Sequence, residues 1–307
     1  MRVIVVGLGT QGYKRRRSAG ADFVASVDPV NPEADYKSAY DVPLGDYDAV
    51  MACIPDEPKV ELLRYFLGNG KSVLVEKPLW ASEDQDILAL QELARAKGVV
   101  CYTAYNHRFE PHFVAMHDLI RSGELGRIYS CRMFYGNGTA RQVRDSAWRD
   151  QGGGVLPDLG CHLLDTCRYW FGDAVLPGHR VIASNRFENR APDHVVIGSE
   201  RATPRIELEM TLLMWRNHFT CDVLAENGSA HIESLCKWGP STFTFRKRVL
   251  PSGRPPERST TLVQEDPTWA AEYAHFKALV ESGATTDLSQ DLWLQTTLRR
   301  LSEDAVK

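Results

Sequence analysis

The chain has 307 residues, 43% of them hydrophobic and 25% charged, which is enough apolar material for about two domains and too much for a disordered chain. A net charge of −4 gives no electrostatic reason to bind nucleic acid or an anionic membrane surface, so neither is expected as a partner. No run approaches the ~18 apolar residues of a membrane span and the N-terminus enters a strand-like segment at once, so a cytoplasmic protein is expected.

Val3 to Val6 reads as a strand, and Gly7-Leu8-Gly9-Thr10-Gln11-Gly12 follows it as a G-x-G-x-x-G loop entering a helix. In such a loop the first glycine makes the tight turn, the second clears space for a pyrophosphate, and the third lets helix and strand approach. The helix N-terminus offers N–H groups to the anion. Asp28 lies 21 residues after Gly7, at the end of the strand-like run Phe23 to Val27, where a carboxylate can bind the ribose hydroxyls of NAD. Its charge would repel the 2′-phosphate of NADP, so NAD is the expected cofactor, with NADP the alternative that the nearby arginines keep open. The run Lys14-Arg15-Arg16-Arg17 fits either an exposed helix face or an added attraction for phosphates.

Further strand-like runs, Ala49 to Ile54, Ser72 to Glu76 and Val99 to Tyr105, alternate with helical stretches in a βαβ rhythm that predicts a parallel sheet. Asp56 before Pro58 opens one helix, the Ser82-Glu83-Asp84-Gln85 box opens the next, and Gly68 and Gly98 close them. Beyond about residue 125 the pattern becomes β-rich: Arg127 to Tyr135, His179 to Phe187, His194 to Glu200, Arg205 to Trp215, His218 to Leu224 and Ser229 to Ser234. These predict a mostly antiparallel sheet, interrupted by a helix over Leu159 to Phe171. Pro251 to Pro256 reads as a loop or hairpin tip, and helices over Pro267 to Ser282 and Ser289 to Ala305 are expected to pack back on the body. The expected division is a dinucleotide-binding domain over 1–122 and an α+β domain over 123–307.

The seven cysteines, 53, 101, 131, 161, 167, 221 and 236, are scattered without a C-x-x-C pair and read as reduced thiols. Lys77, in Glu76-Lys77-Pro78, falls at the C-terminal end of a parallel strand, where open α/β sheets hold ligands; it also fits an exposed turn. Downstream, Trp148-Arg149 and the triple glycine 152–154 precede Asp158, His162 and Asp165, spaced for one helical face. An imidazole steadied by a carboxylate suits proton removal from an alcohol, although a helix cap beside a core histidine gives the same pattern. The glycines point to a close backbone approach by a bound partner. His107, His112 and His117 are spaced by five and spread around a helix. A divalent ion on Asp158, His162 and Asp165 would face Lys77, so no metal is expected. Tyr135, Asn137 and Trp215 fit either a pocket lining or ordinary strand packing.

Together these segments, with Ile54-Pro55-Asp56, Tyr105-Asn106-His107-Arg108-Phe109 and Glu272-Tyr273-Ala274-His275-Phe276, resemble the glucose-fructose oxidoreductase / inositol dehydrogenase (Gfo/Idh/MocA) family over nearly the whole chain. The resemblance implies a Rossmann domain joined to a domain whose open antiparallel sheet, flanked by helices, serves in homo-oligomer contacts. It also implies a hydride exchange between NAD(P) and a secondary hydroxyl or ketone of a sugar, nucleotide sugar or cyclitol. Lys77, Asp158 and His162 map to the catalytic positions. Gly7, Gly9, Thr10, Gln11, Gly12, Asp28, Ile54, Pro55, Glu76 and Lys77 map to the cofactor, and Asn106, Arg108, Arg149, Asp158, His162 and Asp165 to the substrate. The first helix is shorter than is usual in the family, and Lys59 stands where histidine is common. The alternatives are a redox-neutral epimerase or glycosidase-like enzyme that recycles its NAD, and a non-catalytic dinucleotide-sensing regulator.

Overall fold

The computed structural model describes residues 1–146, 149–175, 178–199 and 203–307. Trp148, and Glu200 at the end of an expected strand, lie outside these. The chain divides into two compact units, Met1–Asn106 with Pro267–Gln295, and His107–Asp266 with Thr296–Lys307. Compared with the expected boundary at 122/123, the division falls earlier, and the helix after Pro267 joins the first unit.

The first unit is a parallel sheet in the order β2-β1-β3-β4-β5. Its strands are β1 (Val3–Val6), β2 (Phe23–Val27), β3 (Ala49–Ala52), β4 (Ser72–Glu76) and β5 (Cys101–Ala104). β1 and β3 are buried at every position, as strands covered on both faces must be. Alternate residues supply two cores. Ile4, Val6, Val50, Ala52, Val73 and Val75 pack with helices α2 (Lys59–Gly68) and α3 (Asp84–Lys97). Val3, Val5, Ala49, Met51 and Leu74 pack with α1 (Thr10–Ala19) and α7 (Thr268–Glu281) through Ala19, Tyr273 and Phe276. Each fully buried Val, Leu or Phe contributes roughly 1.5–3 kcal/mol. Because β1 has β2 on one side and β3 on the other, the loops after β1 and β3 leave in opposite directions and open a crevice at the switch point.

Helix ends match expectation to within a residue or two. α2 ends at Gly68 as expected, and the left-handed turn follows two residues later at Gly70, φ +72°. The box opening α3 is Glu83 with Asp86, while Gly98 caps it as expected, in the left-handed region.

The second unit holds an eight-stranded sheet, β13-β12-β11-β10-β6-β9-β8-β7. In chain order the strands are β6 (Ile128–Gly136), β7 (His179–Asn185), β8 (His194–Ser199), β9 (Arg205–Thr211), β10 (His218–Ala225), β11 (Gly228–Glu233), β12 (Ser241–Lys247) and β13 (Glu257–Leu262). It is antiparallel except where β6 and β9 pair in parallel. One face carries Cys131, Met133, Tyr135, Leu208, Val223 and Ile232, all buried. The other is polar and internally paired, with Arg132 reaching Glu207 at 3.1 Å and His231 reaching Asp222 at 2.6 Å. α4 (Pro111–Arg121), the short α5 (Ala140–Arg144) and α6 (Cys161–Phe171) belong to this unit; α4 and α6 are joined by the Trp170 indole donating to the Phe113 carbonyl at 3.0 Å. The unit division falls within α8 (Ser289–Val306), at Gln295/Thr296. β12 and β13 were not anticipated; Pro251–Pro256 is the tip joining them. No described helix is long and apolar enough to cross a membrane.

Candidate active site

In the first unit the glycine loop has the shape its motif predicts, for reasons of space. A Cβ on Gly7, at φ +91°, would lie 2.1 Å from the Cys53 carbonyl oxygen, and one on Gly12 would lie 2.0 Å from the Gly7 carbonyl oxygen. Either would push β1, β3 and α1 apart. A Cβ on Gly9 would meet nothing within 4 Å, so the middle glycine faces open space. Thr10 and Gln11 are exposed there, α1 begins without a side-chain cap, and no acidic residue occupies its first turn. Its N-terminal N–H groups are therefore open to an anion, with no carboxylate of the first turn competing. These residues fit a dinucleotide.

Asp28 shapes that loop. Its carboxylate accepts from the Leu8 N–H at 2.7 Å and from Val30 and Asn31 N–H at 2.9 and 2.8 Å, while the Asn31 amide donates to the Leu8 carbonyl at 2.9 Å. Burial alone would raise the Asp28 pKa, but the three backbone donors outweigh it and hold the group below the usual carboxylate range. After β3, Ile54 is half-buried and Pro55 exposed. Lys59, buried at 2% exposure, donates to Asp56 at 2.5 Å and to the Pro78 carbonyl at 3.0 Å, tying this loop to the turn after β4.

Glu76 ends β4 and Lys77, half-buried, follows it. Glu76 accepts from Arg15 Nε at 2.6 Å, and Arg15 Nη1 reaches Glu272 at 2.6 Å. Arg15 is 1% exposed and lies over the Trp269 ring at 4.3 Å. Burial works against its charge, but the two carboxylates prevail and raise its pKa further. Neither sequence reading of the basic run anticipates this: Arg15 is a buried strut, while Lys14, Arg16 and Arg17 are exposed. Asn106 donates to Thr268 Oγ1 at 2.9 Å, at the start of α7.

In the second unit Leu156–Gly160 forms a π-type turn that runs directly into α6. Such widened turns recur at functional sites, and this one carries Asp158 about one turn before His162. Gly160 lets it sit on the Met210 side chain of β9. The triple glycine has another use than expected. A Cβ on Gly154 would lie 2.1 Å from the Pro192 carbonyl oxygen and one on Gly153 2.1 Å from Ser302 Oγ, so both serve close approach by the chain itself.

Asp158 pairs with Arg149 at 3.2 Å, and both are partly exposed. His162 is 7% exposed, and its ring stacks on His107 with centroids 4.1 Å apart and planes 18° apart. Tyr135 lies 5.5 Å from His107 and 6.3 Å from His162. Asp165, 1% exposed, accepts two bonds from Arg108, at 2.9 and 2.5 Å; this pair braces α6. Cys161 packs with its thiol donating to the Asp158 carbonyl at 3.4 Å.

Sequence reading missed His107 as the partner of His162, since spacing grouped it with His112 and His117. His112 instead bonds the Ser241 carbonyl at 3.0 Å, and His117 stacks on Tyr169. It also missed Lys237 and Trp238, which flank Tyr135. Asn137 caps its own turn by accepting from Thr139, and Trp215 is fully exposed. Elsewhere Ser229, His231 and Asp222 align at 2.8 and 2.6 Å. β11 is paired along both edges, so its N–H groups are committed to the ladder and leave no oxyanion site there among the described residues.

Two sequence models match the chain. Residues 1–105 match the oxidoreductase family with an NAD-binding Rossmann fold, and residues 113–231 match the GFO/IDH/MocA C-terminal domain. Scyllo-inositol 2-dehydrogenase (NAD(+)) of Bacillus subtilis (strain 168) is 28% identical over 214 residues, covering 63% of this chain and 61% of that protein. Levoglucosan dehydrogenase of Pseudarthrobacter phenanthrenivorans is 30% identical over 148 residues, covering 47% of this chain and 37% of that protein. The matched segments thus span less than two thirds of either relative. A structure of levoglucosan dehydrogenase in complex with NADH superimposes with a TM-score of 0.82 at 18% identity, covering 99% of this chain and 96% of that one, a likeness of fold.

Proposed function

The chain belongs to the GFO/IDH/MocA family of oxidoreductases, and from that premise we propose that it transfers a hydride between NAD and a secondary hydroxyl or ketone of a sugar, nucleotide sugar or cyclitol. The observation that carries the reading is the glycine loop. Its outer glycines are needed by the fold, whereas a Cβ on Gly9 would meet nothing within 4 Å among the described residues, and that open space leaves the helix N-terminus to an anion. Gly7, Gly9, Thr10, Gln11 and Gly12 would hold the pyrophosphate, Asp28 the ribose, and Ile54, Pro55, Glu76 and Lys77 the nicotinamide side. When bound, NAD supplies the hydride acceptor.

The chain's own groups manage the proton. His162 takes it from the substrate hydroxyl, its ring held flat against His107. Lys77 donates to the reacting oxygen and stabilises the charge that develops there. Asp158, fixed by Arg149, binds a neighbouring hydroxyl or steadies the imidazole. Asn106 and Arg149 would each bind a further substrate hydroxyl, and Arg108 with Asp165 keep α6 in place. The protein works in the cytosol, consistent with its seven thiols, and associates with further copies through the outward face of the eight-stranded sheet.

His162→Ala and Lys77→Ala should each lower kcat by about a hundredfold or more. NADH affinity of His162→Ala should be unchanged. Near-normal turnover of either variant, read as NADH absorbance across a panel of sugars and cyclitols, would overturn these roles. No turnover by the wild type, with tight NADH binding, would favour a sensor.

A further inference from the structure

The second unit carries a cation that the proton chemistry above leaves unused. β6 and β11 both pair antiparallel with β10, so they run in the same direction. The end of β6 and the turn Cys236–Trp238 after β11 therefore emerge at the same end of the sheet's strands. At that end Lys237 Nζ lies 3.3 Å from the Tyr135 hydroxyl and 4.8 Å from the Trp238 ring centroid. Tyr135 also neighbours the His107–His162 stack, with ring centroids 5.5 and 6.3 Å away. Tyr135 is thus a shared neighbour of this ammonium and of the imidazole assigned to the proton.

The turn is held firmly. Glu110, 2% exposed, accepts from the Cys236 N–H and from its thiol, both at 2.9 Å. Lys237 itself is exposed, and among the described residues no carboxylate lies within ion-pair distance of it. By contrast, Arg108 and Arg149 of the same unit are answered by acids, Asp165 and Asp158. A cation seated on two rings, on a pinned turn, with the Glu110 carboxylate near it but not in direct ion-pair contact, keeps donors for an anion that arrives from solution.

We propose that Lys237, Tyr135 and Trp238 form a subsite for an anionic substituent on the sugar, a carboxylate or a phosphate borne away from the oxidised carbon, with the aromatic rings against the C–H face of the sugar. The proposal rests on the hydride-transfer reading, because that reading puts the sugar against His162. A lysine ammonium serves either anion as a point charge.

The test is calorimetric titration of the NADH-loaded protein with D-glucuronate, D-glucose 6-phosphate and D-glucose. One or both anionic probes should bind about tenfold or more tightly than glucose, and more weakly as salt is added. Lys237→Met should erase that preference while leaving the affinities for glucose and NADH unchanged. Lys237→Arg should retain it, which a merely structural role for Lys237 would not require. Equal binding of the three probes, absence of binding by all three, or a preference that survives in Lys237→Met overturns the subsite. The hydride-transfer reading fails separately, through absence of NADH formation by the wild type on a panel that includes nucleotide sugars and cyclitols.

Discussion

A guanidinium 1% exposed can stay charged only if carboxylates accompany it, and Arg15 has two, Glu76 at 2.6 Å and Glu272 at 2.6 Å. Glu76 precedes Lys77 in the chain, so the strut braces the strand end that carries the proposed electrophile. Arg15→Met should destabilise the protein by about 3–5 kcal/mol in urea titration, because it leaves buried negative charge unanswered. Glu272→Gln added to it should restore part of the loss; an undiminished midpoint in the single variant would mean the network contributes nothing. The sequence held a signal for this. Gly12, Arg15 and Ala19 are the buried residues of α1, spaced three and four apart, and that stripe faces inward. A run of four basic residues hid it, since clustered charge ordinarily means a solvated face. His107 was hidden in a comparable way: its partner His162 is 55 residues away in the chain, and no periodicity connects them.

At the scale of elements, the glycine loop separates what the fold needs from what a ligand needs. Gly12→Ala should destabilise by about 1–3 kcal/mol, because its Cβ would meet the Gly7 carbonyl at 2.0 Å and α1 would have to shift. Gly9→Ala has open space and an ordinary backbone, so its melting temperature should stay close to wild type while NADH affinity falls roughly tenfold or more. Unchanged NADH binding by the Gly9 variant would refute the cradle. The βαβ half and most sheet strands of the second unit were legible, because burial on two faces or on one leaves continuous or alternating apolar runs. β13 was not, since its residues are almost all exposed and give no apolar alternation. The triple glycine pointed to a ligand, yet Gly153 and Gly154 face Ser302 and Pro192, residues far away in sequence.

For the whole molecule, stability should fall as pH drops from neutrality. Burial, aided by the positive charge of Arg300, pushes the His179 imidazole down to about 4 from 6.5. Between those values the unfolded chain binds a proton that the native protein does not, so stability declines across that window by up to about 3 kcal/mol. Asp22, Asp28, Asp35 and Asp48 are held below the usual carboxylate range, and their contributions disappear at lower pH still, as each native group protonates. Glu110 acts oppositely: burial raises its pKa, so its protonation as pH falls favours the native state. Melting temperature measured from pH 7 to 4 should fall, and His179→Gln should flatten the upper part of that fall. A parallel decline in the variant would show that His179 is not the cause.

Local pattern was sufficient for the parallel and mostly antiparallel sheets, the dinucleotide loop and the helix bearing Asp158 and His162, because strand alternation, helix caps and glycine turns are written within a few residues of where they act. Which charges pair, which ring stacks on His162, and which glycines serve the chain itself were decided by tertiary structure alone. Many of those contacts, such as Arg15 with Glu272 and His107 with His162, join residues tens to hundreds of positions apart, and burial, which sets whether a charge must be neutralised or stays available to a ligand, belongs to the folded molecule.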